Sequence, residues 1–218
     1  TGGVRSAAAA VNAAPGQGPA PPGTPGAGGV VTGAVTATDP NGDTLVYSGP
    51  TSTVKGSIAV TPSGAFTYIP TPVARHNAAA DNAAAAIKTD TFTVTASDGK
   101  GGTLAIPVTV TIDPANEKPG NVTATQGAPD ANGKVTGTVT ATDADNDTLV
   151  FSGTGSTPKG SVVVTPTGGF TYTPAPRNTT AFAIAPTDDD HDIFTVTIRD
   201  GHGGTTTADV TVALTPVA

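Results

Sequence analysis

Two short stretches of this 218-residue chain gather the side chains most able to do chemistry. They read Asp39-Pro40-Asn41-Gly42-Asp43 and Asp143-Ala144-Asp145-Asn146-Asp147. Alternate oxygen-bearing side chains on a tight turn converge on one point, and calcium takes about six to eight such oxygen ligands. An EF-hand would also need an acidic residue at the twelfth loop position, where Pro50 and Thr154 stand instead, so that reading fails. The same residue types also make ordinary Asx turns that cap their own backbone, and the sequence leaves both readings open. The bias of the carboxylates favours loops: Glu117 is the sole glutamate and every other acid is aspartate.

Catalysis finds little to work with. Of the three histidines, His76 sits in an alanine-rich stretch, His202 in a glycine turn, and His191 between Asp190 and Asp192. That last trio could orient a general base or bind zinc. Yet no Ser or Thr nucleophile stands in a strained elbow and no glycine-rich phosphate loop precedes a helix, so the chain does not read as an enzyme. Lys55 and Lys159 each precede Gly-Ser, a pattern that raises an intramolecular isopeptide bond, but the first half lacks the glutamate to assist it. Both lysines read as flanking a strand start. Asn121, Asn146 and Asn178 lie in N-x-T sequons.

The elements that must position these turns come in duplicate. VTGAVTATDPNGDTLVYSG over 31–49 matches VTGTVTATDADNDTLVFSG over 135–153, an offset of 104 residues. Lys55-Gly-Ser and Phe66-Thr-Tyr68 recur at the same offset, and Asp98-Gly-Lys-Gly-Gly recurs as Asp200-Gly-His-Gly-Gly at 102. A period near a hundred residues with strands inside it means tandem domains, not a solenoid. Alternating apolar positions predict a first hairpin from Val31 and Val35 to 45–47, a second from 57–60 and 65–69, and a third from 91–96 and 103–112. Copy two repeats these at 135–142, 148–152, 160–164, 169–173, 192–198 and 205–214, after an opening strand near 121–125. Phe66 with Tyr68, and Phe92 with Val94, should face inward. Residues 75–88 have helix-forming composition with Asn77 as cap, and the counterpart loop 177–191 carries Pro186 and a run of Asp.

Composition agrees. Charged residues are only 12%, aromatics 4%, and cysteines absent, so the core must come from β-branched residues without disulfides. A net charge of −7 with no basic patch argues against nucleic acid or an anionic membrane as partner. No apolar run approaches transmembrane length and no signal peptide opens the chain, which reads as an internal fragment.

The string ATDADNDTLVFS resembles the A-x-D-x-D calcium motif of cadherin repeats, and FTVTIRDGHGG resembles the later strand whose terminal Asp joins the same site. The junction Ile112-Asp113-Pro-Ala-Asn116-Glu117-Lys-Pro119 resembles the acidic linker between cadherin domains. With the FTYxP strand and the DGxGG turn, residues 30–218 are similar to the bacterial cadherin-like and VCBS-type repeats of large adhesins, and the insertion resembles versions in long actinobacterial surface proteins. The resemblance implies an all-β chain of two tandem Ig-like, cadherin-like Greek-key β-sandwiches with a short helical insertion in the first. The expected division is a Gly/Pro/Ala-rich linker over 1–29 (with a substitute first strand at Val11-Asn12), domains over 30–113 and 120–218, and an interdomain linker over 114–119.

Carried over by position, the resemblance implies calcium at the domain junction, held by Asp113, Asn116, Glu117, Asp143, Asp145 and Asp200. The equivalent place in copy one would use Asp39, Asn41 and Asp98, without a matching linker before it. The D-R-E motif of animal cadherins has no clear match, with Asp188 to Asp190 as its stand-in in copy two, so a single calcium is expected. The implied role is a calcium-stiffened spacer or adhesion segment, secreted or on the cell surface, with neighbouring repeats as its contacts and monomeric as a fragment. The alternatives are a module binding a protein or glycan through 75–88 and 177–191, where Phe182 is the one aromatic outside the strands, or an accessory domain of a secreted enzyme.

Overall fold

In the computed structural model residues 11–18, 23–176 and 191–214 are described. Loop 177–190, with Asn178, Phe182 and Asp188 to Asp190, lies outside them. The chain forms two compact units, Thr1–Ala115 and Asn116–Ala218. Among the described residues no helix is long and apolar enough to cross a membrane.

The first unit runs β1 (Gly16–Gln17), a 3₁₀ turn at Ala27–Gly29, β2 (Val31–Ala34), β3 (Ala37–Thr38), β4 (Val46–Ser48), β5 (Gly56–Val60), β6 (Ala65–Pro70), helix α1 (Pro72–Ala79), β7 (Thr89–Ser97) and β8 (Thr103–Thr111). One sheet orders β2-β6-β5, the other β4-β7-β8, and β1 pairs with β3. The alternation of Val and aromatic residues with Thr puts every second side chain into the core, as the period of a strand demands. Val31, Val35, Ile58, Phe66, Tyr68, Phe92, Val94, Ile106, Val108 and Val110 are buried in one cluster. Phe66 meets Phe92 edge-on with ring centroids 5.5 Å apart, a favoured aromatic geometry.

The second unit repeats this with β9 (Gly120–Gln126), β10 (Val135–Thr142), β11 (Val150–Gly153), β12 (Ser156–Thr157), β13 (Gly160–Val164), β14 (Gly169–Pro174), β15 (His191–Arg199) and β16 (Thr205–Ala213). Its sheets order β12-β13-β14-β10-β9 and β11-β15-β16. Phe170 and Phe194 lie edge-on at 5.1 Å inside a core of Val135, Val139, Tyr172, Val196, Ile198 and Val212.

The hairpins β5/β6 and β7/β8 form in the expected segments. The expected first hairpin does not form. Val31 pairs with Tyr68 on β6, whereas Val46 pairs with Ser97 on β7, so the two strands belong to different sheets. Copy two behaves alike, β10 pairing with β14 and β11 with β15. Period-2 alternation identifies a strand and its inward face, but any strand with that pattern can be the partner. Each Asp-rich turn therefore crosses from one sheet to the other at the end of the sandwich.

Two further expectations are corrected. The segment assigned to a linker contains β1, which pairs Gly16 with Thr38 and Gln17 with Ala37, and Gly23 bridges to Val110. The first strand is thus at 16–17 and not at Val11-Asn12. The helix starts at Pro72 rather than 75, because Thr71 caps it: its Oγ1 accepts from the Ala74 N–H at 3.1 Å, and Pro72 at the first helical position has no N–H to lose. Asn77 is inside the helix. Ala74 and Ala78 pack on Ile112.

Candidate cation site

In the second unit the turn between β10 and β11 is shaped by its own first residue. Asp143 Oδ1 accepts from the backbone N–H groups of Asp145 at 3.0 Å and Asp147 at 3.2 Å. Asn146 takes the left-handed conformation at φ +64°, which Asn tolerates, and Gly42 takes the same place in copy one at φ +79°. The curl brings carboxylate oxygens of Asp143, Asp145 and Asp147 within 4.8 Å of one another.

Two other segments converge there. Asp200, at the end of β15, is 3% exposed and accepts from the N–H groups of His202 at 2.7 Å and Gly204 at 2.9 Å. Its other oxygen accepts from the Asn116 side-chain amide at 2.8 Å. Burial works to raise the Asp200 pKa, but these donors outweigh it and hold the carboxyl below the ordinary aspartate value. The Glu117 N–H donates to Asp145 Oδ2 at 2.8 Å, and the His202 imidazole sits 3.1 Å from Asp147 Oδ2. Gly204 is required: a Cβ there would lie 1.8 Å from Asp200 Oδ2 and 3.0 Å from the Lys118 Cα.

Within this frame two oxygens are closed to solvent and accept no hydrogen bond, Asp143 Oδ2 and Asn116 Oδ1. Buried polar atoms are nearly always satisfied, so such orphans in an anionic cluster call for a cation. The Asp143, Asp145 and Asp147 carboxylates and the Asn116 amide carbonyl offer oxygen, and the His202 imidazole stands beside them at Asp147. The oxygen set suits calcium rather than a thiolate- or imidazole-seeking metal.

The first unit builds the same frame, and it too has two oxygens closed to solvent that accept no hydrogen bond, Asp39 Oδ2 and Asp43 Oδ2. Asp39 Oδ1 accepts from the N–H groups of Asn41 at 2.8 Å and Asp43 at 3.1 Å. Asp98 accepts from Lys100 N at 2.7 Å, Gly102 N at 2.9 Å and the Asn12 amide at 2.7 Å. The Asn12 bond is the chief cause that lowers the Asp98 pKa. Asn41 Oδ1 accepts from the Ala13 N–H at 2.7 Å, as Asp145 does from Glu117. Copy one therefore has a linker of its own. Asn12-Ala-Ala-Pro15-Gly16 lies 104 residues before Asn116-Glu-Lys-Pro119-Gly120, a match hidden in the sequence by the surrounding alanines and glycines.

Of the residues expected as ligands, Asn116, Glu117, Asp143, Asp145 and Asp200 gather in the second unit, Glu117 through its backbone N–H. Asp39, Asn41 and Asp98 gather in the first. Asp113 belongs to the first unit, where Arg75 holds it by its carboxylate at 2.9 Å and by its carbonyl at 2.9 Å. Sequence reading passed over Asp43 and Asp147 as ligands although both stand in the quoted turns.

A matched pair of aspartates, one half-buried and one buried, was also missed. Asp90 accepts from Tyr68 Oη at 2.9 Å and from the Thr53 hydroxyl, while Asp192 accepts from Tyr172 Oη at 2.8 Å and from the Thr157 hydroxyl. Asp192 is 5% exposed, and its carboxylate is directed at Tyr172 and Thr157. Lys55 Nζ donates to the Thr89 carbonyl and Lys159 Nζ to the His191 carbonyl, pinning the start of β7 and of β15. The offset of 102 shared by Asp90 and Asp192 was the available signal.

The bacterial Ig domain matches residues 12–112 and the bacterial cadherin-like domain matches residues 113–216. No curated protein matches the sequence. Among solved structures, the human desmocollin-1 ectodomain is 15% identical over 93% of this chain and 37% of its own, with a TM-score of 0.38. The protocadherin gammaB7 cis-dimer structure is 16% identical over 94% and 48%, with a TM-score of 0.46. Human protocadherin-24 is 13% identical over 94% and 96%, with a TM-score of 0.37. The chain thus spans about a third of the desmocollin ectodomain. Cadherin-like and bacterial Ig domains are typically extracellular adhesion or structural modules. This chain therefore carries a segment that matches the bacterial Ig domain, followed directly by one that matches the bacterial cadherin-like domain.

Proposed function

We propose that the chain is a spacer or adhesion segment of a larger secreted or cell-surface protein, stiffened by calcium where the chain enters its second unit. The observation that carries this reading is the pair of solvent-shielded, unbonded oxygens, Asp143 Oδ2 and Asn116 Oδ1, beside three converging carboxylates. Asn116, Asp143, Asp145 and Asp200, with Asp147 added, are the residues that hold the ion, and Glu117 positions Asp145 through its backbone N–H. Two carboxylates 4 Å apart repel by about 1 kcal/mol in water and by about 4 kcal/mol at the effective dielectric of a protein surface. A divalent ion turns that repulsion into a clamp joining residues 116–117, the β10/β11 turn and the end of β15. The role is mechanical: without the ion the acids push these three segments apart, and with it they form one rigid end. Calcium is the cofactor, neighbouring repeats are the contacts, and no catalytic step is assigned.

The test is a calcium titration by calorimetry with thermal melts in calcium and in chelator, beside Asp143→Asn with Asp145→Asn as control. The expected result is binding that raises the melting temperature and is lost in the double variant. An ion at a hundred times its dissociation constant adds about 2.7 kcal/mol to the folded state. No heat and an unchanged melt would reduce the acidic turns to ordinary Asx turns and leave a metal-free spacer.

A further inference from the structure

The two acidic ends have matching frames, and they differ at the atom that faces the acids. Asn12 and Asn116, Asp39 and Asp143, Asp43 and Asp147, Asp98 and Asp200, Gly102 and Gly204 correspond one to one. The match breaks where charge differs. Asn41 stands where the second unit has Asp145, Lys100 where it has His202, and Ala13 and Ala14 where it has Glu117 and Lys118. Lys100 reaches across to the Asp39–Asp43 turn so that Nζ lies 2.5 Å from Asp43 Oδ1. Asp43 is sheltered, with a side chain 15% exposed, while the lysine stem runs along the surface at 60%.

The lysine is aimed from both ends. Its backbone N–H is fixed on Asp98 Oδ1, and Gly99 and Gly101 hold the turn in left-handed conformations at φ +72° and +102°. Its ammonium then meets the one carboxylate that has no N–H donor from the turn itself. The hydrogen bond and charge of Asp43 raise the Lys100 pKa, with Asp39 and Asp98 adding to the effect, so the group stays cationic. The first unit therefore has three carboxylates and a resident ammonium where the second has four carboxylates facing an imidazole.

We propose that Lys100 is a built-in cation for the first unit, occupying the place a calcium ion takes in the second, and that position 100/202 decides which of the two ends needs metal. The inference rests on reading the second unit's acidic end as a calcium site. An ammonium tied to the same chain is present at a fixed local concentration and is not removed by chelator, so the first unit keeps its turn closed with or without calcium. A divalent ion entering there must displace the ammonium, bind one fewer carboxylate, and bear the repulsion of a nearby positive charge.

The test uses the whole chain and calcium itself, in calorimetry and in melts with chelator. Wild type is expected to bind one calcium. Lys100→His with Asn41→Asp is expected to gain a second equivalent, and Lys100→His alone a second site at least tenfold weaker than the first. His202→Lys is expected to lose the wild-type site and to melt alike in calcium and chelator. In chelator the Lys100→His chain should melt at a lower temperature than wild type, and calcium should restore it, which shows that the variant folds. A wild-type chain binding two calcium ions, or a double variant that gains none while wild type binds one, overturns the inference and leaves the calcium reading standing. A wild-type chain that binds no calcium removes that reading and this inference with it.

Discussion

The first unit ends in an acidic turn facing a lysine, and the second ends in the same turn facing a histidine. Backbone geometry hardly differs: the first Asp of each turn accepts from the second and fourth following N–H groups, and the later Asp accepts from the glycine turn. The frame is therefore common to both Asp-x-x-x-Asp and Asp-Gly-x-Gly-Gly pairs. What varies is the charge left over once the frame is built. On the proposed reading, a shared frame with a different net charge at its mouth lets one repeat take calcium while its neighbour holds a lysine instead.

The comparison can be broken most severely in the cores. Phe92→Ala in the first unit and Phe194→Ala in the second each remove an edge-on aromatic partner, of Phe66 and Phe170 respectively. Each should cost about 3–5 kcal/mol. Denaturant unfolding of each variant should lower the stability of the mutated unit and leave the other transition in place. Equal loss in both transitions would show that the units do not unfold independently.

A smaller effect separates Asp192 from Asp90. Asp192→Ala leaves the Tyr172 hydroxyl, within a fully buried side chain, and the Thr157 hydroxyl without their acceptor, and should cost about 1–3 kcal/mol. Asp90→Ala makes the same cut on a half-buried carboxylate, where water replaces part of the loss, and should cost less. Urea midpoints of the two variants give the order directly. Acid adds a further difference. Burial acts to raise the Asp192 pKa, but the donors Thr157 and Tyr172 win and hold it below the ordinary 3.8. A carboxylate depressed on folding stabilises above its unfolded pKa and loses that contribution as pH falls through the folded one. Stability of the second unit should therefore drop below about pH 4, and Asp192→Asn should flatten the drop. A melt series in that range decides it, and an unchanged slope in the variant would assign acid sensitivity to other carboxylates.

The smallest expected effect sharpens a difference outside the acidic ends. Only the first unit inserts a capped helix among the described residues, and Thr71→Ala removes the acceptor of the Ala74 N–H. The cost should be about 1 kcal/mol, read as a lowered melting temperature for the first unit alone. The Arg75 contacts with Asp113 should persist, since α1 still packs through Ala74 and Ala78 on Ile112.

Much of this was legible in the residues. The repeat was visible because the turn sequences are almost identical, and the inward faces were visible because Phe66, Tyr68, Phe92 and Val94 alternate with Thr. Strand partnership was not, since Val31–Ala34 reads the same whether it pairs with β4 or β6. The start of α1 was misplaced because alanines after residue 77 promise helix by propensity, whereas Thr71 and Pro72 decide where one begins. The likeness of the first unit's linker is hidden because alanines follow Asn12 where Glu117 and Lys118 follow Asn116. The likeness of Asn12 to Asn116 lies in where its amide points, which is onto Asp98.

By itself the sequence determined that there are two all-β domains, which faces are buried, and that each carries an aspartate-lined turn, because these follow from periodicity and from side-chain oxygens within a few residues. Tertiary structure decided the rest: the sheet each strand joins, the meeting of Asp98 with Asn12 and Asp200 with Asn116 across more than eighty residues, and the placement of Lys100 on Asp43. Those contacts depend on two sheets packing face to face, and no local pattern encodes which distant donor will arrive at a given oxygen.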